Sequence, residues 1–237
     1  MSIKAITFDF WSTLFRDAHG EARWAARVKA AKRLTGAKPD VIREQLKAIS
    51  RAFGKHHLQH QQTLGPEDAV RMLGERLGHE FSEADTAKLV RVMGGTILDH
   101  SPDPEPGALE AVAAAAERVP VGLISDAGIS PGSSLWALLA RHGFDRYLRC
   151  AVFSDEVGAS KPQPVTFETA ARKLGVAPDE LLHIGDLEPT DIVGVRRLGG
   201  TGVLFAGINP RYLGRTTADY TFLTWKDFTG ALPVLLG

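Results

Sequence analysis

Beyond Gly107 the chain alternates between strand-length apolar runs and single helical stretches, and this alternation restricts the fold more than any other feature. Residues 119–124 read as a strand ending at Ser125-Asp126, 150–153 as the next, 180–184 as one ending at Gly185-Asp186, and 202–205 as another. Residues 107–118, 133–142, 166–174 and 190–198 read as the helices between and after them, with a short strand near Tyr220 and a final helix in the tail. Strands separated by single helices predict a parallel, three-layer Rossmann-like α/β sheet. Such a sheet binds its ligands at the edge formed by the carboxyl ends of its strands.

The first strand is expected at residues 3–8, apolar and rich in β-branched side chains, with Asp9 where it ends and a Ser-Thr turn begins. A buried, unpaired carboxylate there is unfavourable unless a cation or hydrogen-bond donors meet it. The pattern then changes to the helical period. From Ala18 to Leu98 nearly everything reads as helix, with breaks near Gly36, Gly65 and Gly78. Ile42, Leu46 and Ile49 share one apolar face, as do Val70, Leu73 and Leu77, and Leu89, Met93 and Ile97. Ser82 with Asp85 is a cap signal for the last of these helices. The stretch 101–107, stiffened by three prolines, is the return linker. The expected division is therefore an α/β core at 1–16 and 99–237 with an inserted α-helical domain at 17–98.

Composition sets outer limits. A formal net charge of zero offers no basic field for nucleic acid or an anionic membrane. The single Cys150 cannot form an internal disulfide and is expected as a small core hydrophobe, in keeping with a reducing compartment. No apolar run reaches the roughly 18–20 residues that span a bilayer, and Asp9 interrupts the one N-terminal run that resembles a signal peptide. The expectation is a soluble, cytoplasmic protein; oligomeric state is not legible.

Asp9, Ser125, Lys161 and the pair Asp186 and Asp191 all fall at or just beyond strand ends, so the topology predicts that they converge. Together they can form a phosphoryl site. Asp9 can attack, Ser125 and nearby backbone amides can hold phosphoryl oxygens, and Lys161 can neutralise charge. Asp186 and Asp191 with Asp9 would repel one another unless a hard cation sat among them, and a few carboxylates with waters and a phosphate suit Mg²⁺.

These residues stand in motifs that resemble those of the haloacid dehalogenase (HAD) superfamily. Asp9-Phe-Trp-Ser-Thr-Leu14 is similar to its first motif, Leu123-Ile-Ser125 to its second and Lys161-Pro162 to its third. His183-Ile-Gly-Asp186-Leu-Glu-Pro-Thr-Asp191 is similar to its fourth. The resemblance covers the whole core, and the insertion after the first motif matches the family's helical cap. It implies an aspartyl-enzyme intermediate on Asp9 and an Mg²⁺ ligand from the backbone carbonyl of Trp11. The substrate it implies is a small phosphorylated metabolite.

Trp11 is also where the sequence departs from the family's phosphatases, which carry a general acid–base Asp at that position. Indole N–H donates a hydrogen bond but exchanges no proton near neutral pH. General acid–base catalysis contributes about 10²–10⁴ in rate, so alkyl phosphates would suffer most and aryl or acyl phosphates least. An aromatic residue at that position is also what the family's haloacid dehalogenases have, which makes a 2-haloacid dehalogenase-type carbon–halogen hydrolase the rival reading. Those enzymes work without metal and replace the Gly-Asp of the fourth motif, which is retained here. A third reading is a catalytically impaired module that binds a phosphorylated ligand. Asp126 is a second departure: its carboxylate would repel phosphate, so only its backbone amide is expected to face inward. Arg16 is a candidate contact for the substrate anion. His56, His57 and His60 are expected on a solvated helix surface, with a role facing the substrate left open. Trp24 and Trp136 are expected as packing residues.

Overall fold

The structure, a computed structural model, describes residues 2–237. Along the chain, β1 (Ala5–Phe8) and a short β2 (Phe15–Arg16) lead into four helices: α1 (Gly20–Thr35), α2 (Pro39–His60), α3 (Pro66–Leu77) and α4 (Glu83–Asp99). After β3 (Asp103–Pro104) come α5 (Ala108–Ala116), β4 (Val121–Ser125), α6 (Gly132–Arg141), β5 (Leu148–Phe153), α7 (Ser154–Val157) and α8 (Pro164–Leu174). β6 (Leu181–Gly185) is followed by a π-helical turn at Glu188–Ile192 that runs into α9 (Val193–Arg196). β7 (Thr201–Phe205), β8 (Tyr220–Phe222) and α10 (Trp225–Leu236) complete the chain.

The six-stranded sheet has the order β5-β4-β1-β6-β7-β8 and every neighbouring pair is parallel. This is the doubly wound α/β architecture the alternation predicts. The sequence reverses direction on either side of β1, which puts Asp9 at the switch point where such sheets open a crevice. One face is covered by α5, α6 and α10, burying Ala111, Leu135, Leu138, Trp225 and Phe228 with the strand residues Ile6, Phe8 and Leu123. The other is covered by α8 and α9, burying Phe167, Ala170 and Val195 against Ala5, Ile124 and Leu181.

The helices α1–α4 bury a core of their own around Val28, Ile42, Leu46, Val70, Leu73, Leu89 and Met93. Two members of the expected trios differ. Leu77 is only half-buried. Ile97, on the last turn of α4, packs into the core of the sheet. The glycine breaks appear as a left-handed C-cap at Gly36, an N-cap at Gly65 and a left-handed C-cap at Gly78. The Ser82 hydroxyl accepts from the Asp85 backbone N–H at 3.2 Å, capping α4.

Two features escape the sequence pattern. The return stretch is not only a stiff linker: β3 pairs antiparallel with β2, Arg16 opposite Asp103, so the chains entering and leaving the helical segment are laced together. The helix expected at 190–198 begins with the π turn, because the N–H groups of both Asp191 and Ile192 reach back to the Leu187 carbonyl, at 2.9 and 3.4 Å.

Candidate active site

The carboxyl edge of the sheet is built from β1, β4 and β6. The Asp9 N–H donates to the Ile184 carbonyl at 2.9 Å, which sets Asp9 beside the end of β6 and Asp186 just past it. Ser125 closes β4 on the other side of β1. Immediately after Asp9 the backbone turns tightly, with Ser12 in the left-handed region at φ 54° and its N–H donated to the Phe15 carbonyl at 2.8 Å. Asp9, Ser125, Lys161, Asp186 and Asp191 are all buried. The structure therefore brings the five expected side chains to one edge.

Lys161 is their hub. Its ammonium donates to Asp9 Oδ1 and Asp191 Oδ1, each at 2.6 Å, and to the Ile124 carbonyl at 3.2 Å. An ammonium has three donors, and all are used. Burial alone would lower the Lys161 pKa, but Asp191, Asp9 and Asp126 outweigh it and hold the group well above an ordinary lysine. Asp191 is fixed from several sides. His183 Nε2 lies 3.2 Å from its Oδ1, the Leu187 N–H donates to its Oδ2 at 2.9 Å, and His183 Nδ1 is 2.9 Å from Thr7 Oγ1. Burial would raise Asp191, yet Lys161 and His183 prevail and keep it below the usual carboxylate range. Asp191 Oδ1 is thus shared by Lys161 and His183, while Oδ2 accepts only the Leu187 N–H and keeps a lone pair that a cation could use. Close packing here requires Gly185: a Cβ on it would lie 2.3 Å from Asp191 Cγ.

Asp9 and Asp186 are less compensated. Burial, then the charges of Asp191 and Asp126, push Asp9 up to about 7 against the opposing Lys161. Burial, then the charges of Asp9 and Asp191, push Asp186 up to about 7, although Asn209 Nδ2 donates to its Oδ2 at 2.6 Å. Among the described residues no three His, Cys, Asp or Glu side chains form a ready-made metal cluster. Mg²⁺, however, binds through one or two carboxylates and keeps its waters. Two buried carboxylates at the ends of neighbouring strands, Asp186 raised in part by the charge of Asp9, fit that donor set. Ser125 fits an anion: its Oγ is buried and has no hydrogen-bond partner among the described residues.

Three expected side chains behave differently. The Asp126 carboxylate does face inward, because its Oδ1 accepts the Lys161 backbone N–H at 2.9 Å. Burial pushes it up to about 6 against the pull of Lys161. Arg16 points its fork at Glu105, at 3.0 and 2.9 Å, and so is engaged away from the cluster. Of the three histidines, only His57 reaches the core, with Nε2 at 3.6 Å from Asp126 Oδ2, while His56 and His60 lie ring against ring on α2. Trp11 is half-buried and lines a cavity of about 290 Å³ between the sheet edge and helices α1 and α2. His183 and Asn209 were not singled out as functional by sequence; for His183 the signal was its place two residues before Gly185 on a buried strand.

Comparison with known proteins agrees with this geometry. The family model for haloacid dehalogenase-like hydrolases matches residues 3–199. A glyceraldehyde 3-phosphate phosphatase of Methanopyrus kandleri is 42% identical over 64 residues, 27% of this chain and 28% of that protein. One from Pyrococcus furiosus is 31% identical over 102 residues, 43% of this chain and 40% of that protein. The chain thus spans well under half the length of the curated relatives it matches. Among solved structures, a 2-haloacid dehalogenase from Pseudomonas syringae pv. Tomato superposes with a TM-score of 0.71 at 18% identity, covering 99% of this chain and 98% of that one. A HAD phosphatase from Thermococcus onnurineus gives 0.69 at 20% identity, covering 97% and 98%. YfnB from Bacillus subtilis, bound to magnesium, gives 0.70 at 15% identity, covering 99% of each chain. At these identities the structural likenesses speak for the fold alone, but with the match over residues 3–199 they place this chain in the haloacid dehalogenase-like hydrolase family.

Proposed function

We propose that this chain is an Mg²⁺-dependent phosphohydrolase that removes phosphate from a small phosphorylated metabolite. The observation that carries the reading is the pair Asp9 and Asp186, buried together and each raised to about 7, beside the unpartnered Ser125 hydroxyl. Relatives named as phosphatases support the same reaction class. Asp9, the Trp11 carbonyl and Asp186 would hold the cation, with Asp191 behind them. When bound, Mg²⁺ supplies positive charge that offsets the carboxylates and the phosphoryl oxygens.

The chain's own residues account for the remainder. Lys161 engages Asp9 Oδ1, which leaves Oδ2 as the attacking atom. A bond from Oδ2 to phosphorus forms as the bond to the leaving oxygen breaks, and water then cleaves the aspartyl phosphate, releasing inorganic phosphate and restoring the carboxylate. Ser125 Oγ and the amides after it donate to the phosphoryl oxygens. Trp11 supplies no proton to the leaving group, so aryl and acyl phosphates are turned over faster than alkyl phosphates. The four-helix segment acts as the cap over this edge. Phosphate release from p-nitrophenyl phosphate or acetyl phosphate, lost in EDTA and in Asp9→Asn, tests the reading; no release from either substrate contradicts it.

The aromatic Trp11 favours a second reading, carbon–halogen hydrolysis. It requires metal-independent halide release from 2-chloropropionate, and the absence of halide removes it.

A further inference from the structure

The cavity that Trp11 lines is also lined by two arginines of α1, Arg23 and Arg27. Both are buried, at 5% and 6% exposure, in a place where a charged group without a partner is unfavourable. Arg23 has its partner: it is ion-paired with Asp17 and also donates to the His100 carbonyl. Arg27 has none. Its Nε and Nη2 both donate to the single Met93 carbonyl, at 3.1 and 2.9 Å, and no carboxylate among the described residues lies within ion-pair distance. Its guanidinium carbon sits 5.9 Å from the centre of the Trp24 ring, which holds the fork against the cavity wall. Burial, reinforced by the neighbouring Arg23, lowers its pKa to about 10, still charged at neutral pH.

The acids on this cavity are already committed. Asp17 is held by Arg23, and Asp126 is turned towards the Lys161 N–H and His57. Trp11, two residues from Asp9, and Asp126, next to Ser125, line the same cavity as Arg27, so the cavity adjoins the sheet edge. The edge left over, Nη1 with the second N–H of Nη2, matches a carboxylate, in a hydrogen bond strengthened by charge on both sides.

We propose that Arg27, braced by Trp24, forms a subsite for a second anionic group, so that the preferred substrate is a small phosphorylated carboxylic acid. The inference rests on the phosphohydrolase reading for the phosphoryl end only; the carboxylate end stands on Arg27 itself.

The test compares 3-phosphoglycerate with glycerol 3-phosphate, which differ in carboxylate against hydroxymethyl, with Mg²⁺ and the full chain. A charge-assisted hydrogen bond predicts a kcat/KM at least about tenfold higher for the carboxylated ester. Arg27→Gln, and Arg27→Lys in case the first does not fold, should collapse that ratio towards one. Equal values for the two esters in the unmodified protein overturn the subsite. If neither ester is turned over, calorimetric titration with glycerate decides. Binding that Arg27→Gln weakens at least about tenfold keeps the subsite and discards the phosphohydrolase reading, and no binding discards the subsite.

Discussion

At the scale of single residues, position 11 is the one that limits rate in the proposed phosphohydrolase reading. Lys161 donates to Asp9 and the Ser125 hydroxyl is unpaired among the described residues, while the side chain at position 11 carries no titratable proton. Replacing Trp11→Asp is expected to raise turnover of an alkyl phosphate by about 10²–10⁴ and that of acetyl phosphate far less. Equal changes for both substrates would mean that leaving-group protonation is not what limits the rate. Gly185 is a structural counterpart. Gly185→Ala forces a Cβ into the space of Asp191 Cγ and is expected to destabilise the fold by about 1–3 kcal/mol, read by urea denaturation. The motif residues were legible because their chemistry is tied to strand ends. The inward turn of Asp126 was not, because it depends on a backbone N–H of Lys161, 35 residues away. Nor could sequence tell that Arg16 prefers Glu105 or that Arg27 lacks a carboxylate, since both follow from contacts distant along the chain.

At the scale of elements, periodicity carried most of the information. The apolar runs gave the six parallel strands within a residue or two, and the helical spacing found the buried faces of α2, α3 and α4. What it missed were elements too short to have a period: the β2–β3 ladder of two residues a side, and the π turn before α9. Caps behave as local chemistry predicts. Ser82→Ala removes the acceptor for the Asp85 N–H and is expected to lower stability by about 1 kcal/mol. Because Ser82 is exposed and lies outside the lining of the Trp11 cavity, turnover should stay unchanged; a loss of activity without a loss of stability would contradict the assignment of this helix end as purely structural.

At the scale of the whole molecule, the acidic edge links stability to pH. Asp9 and Asp186 hold protons up to about pH 7 when folded but release them near the ordinary aspartate value of 3.8 when unfolded. Between those values the folded chain binds more protons, so these two groups make stability fall as pH rises. Asp191, held below its ordinary value, contributes stability that is lost only as pH falls below that range. The half-buried His57 and the buried His183, held below their ordinary 6.5, act in the opposite direction to Asp9 and Asp186 at mildly acidic pH. A comparison with Asp186→Asn cancels their effect. In EDTA that variant should be more stable than the unmodified protein at about pH 8 and nearly equal to it at about pH 4. Mg²⁺ at about pH 8 should stabilise the unmodified protein and not the variant. A variant less stable at both pH values would show that Asp186 is needed for folding rather than strained by its neighbours.

The most direct measurement is phosphate release from acetyl phosphate by the purified chain with Mg²⁺, alongside Asp9→Asn and an EDTA control. Turnover that needs both the metal and the Asp9 carboxylate is the predicted result. No phosphate release, together with halide released from 2-chloropropionate in EDTA, would contradict the account and give the sheet edge to carbon–halogen chemistry instead.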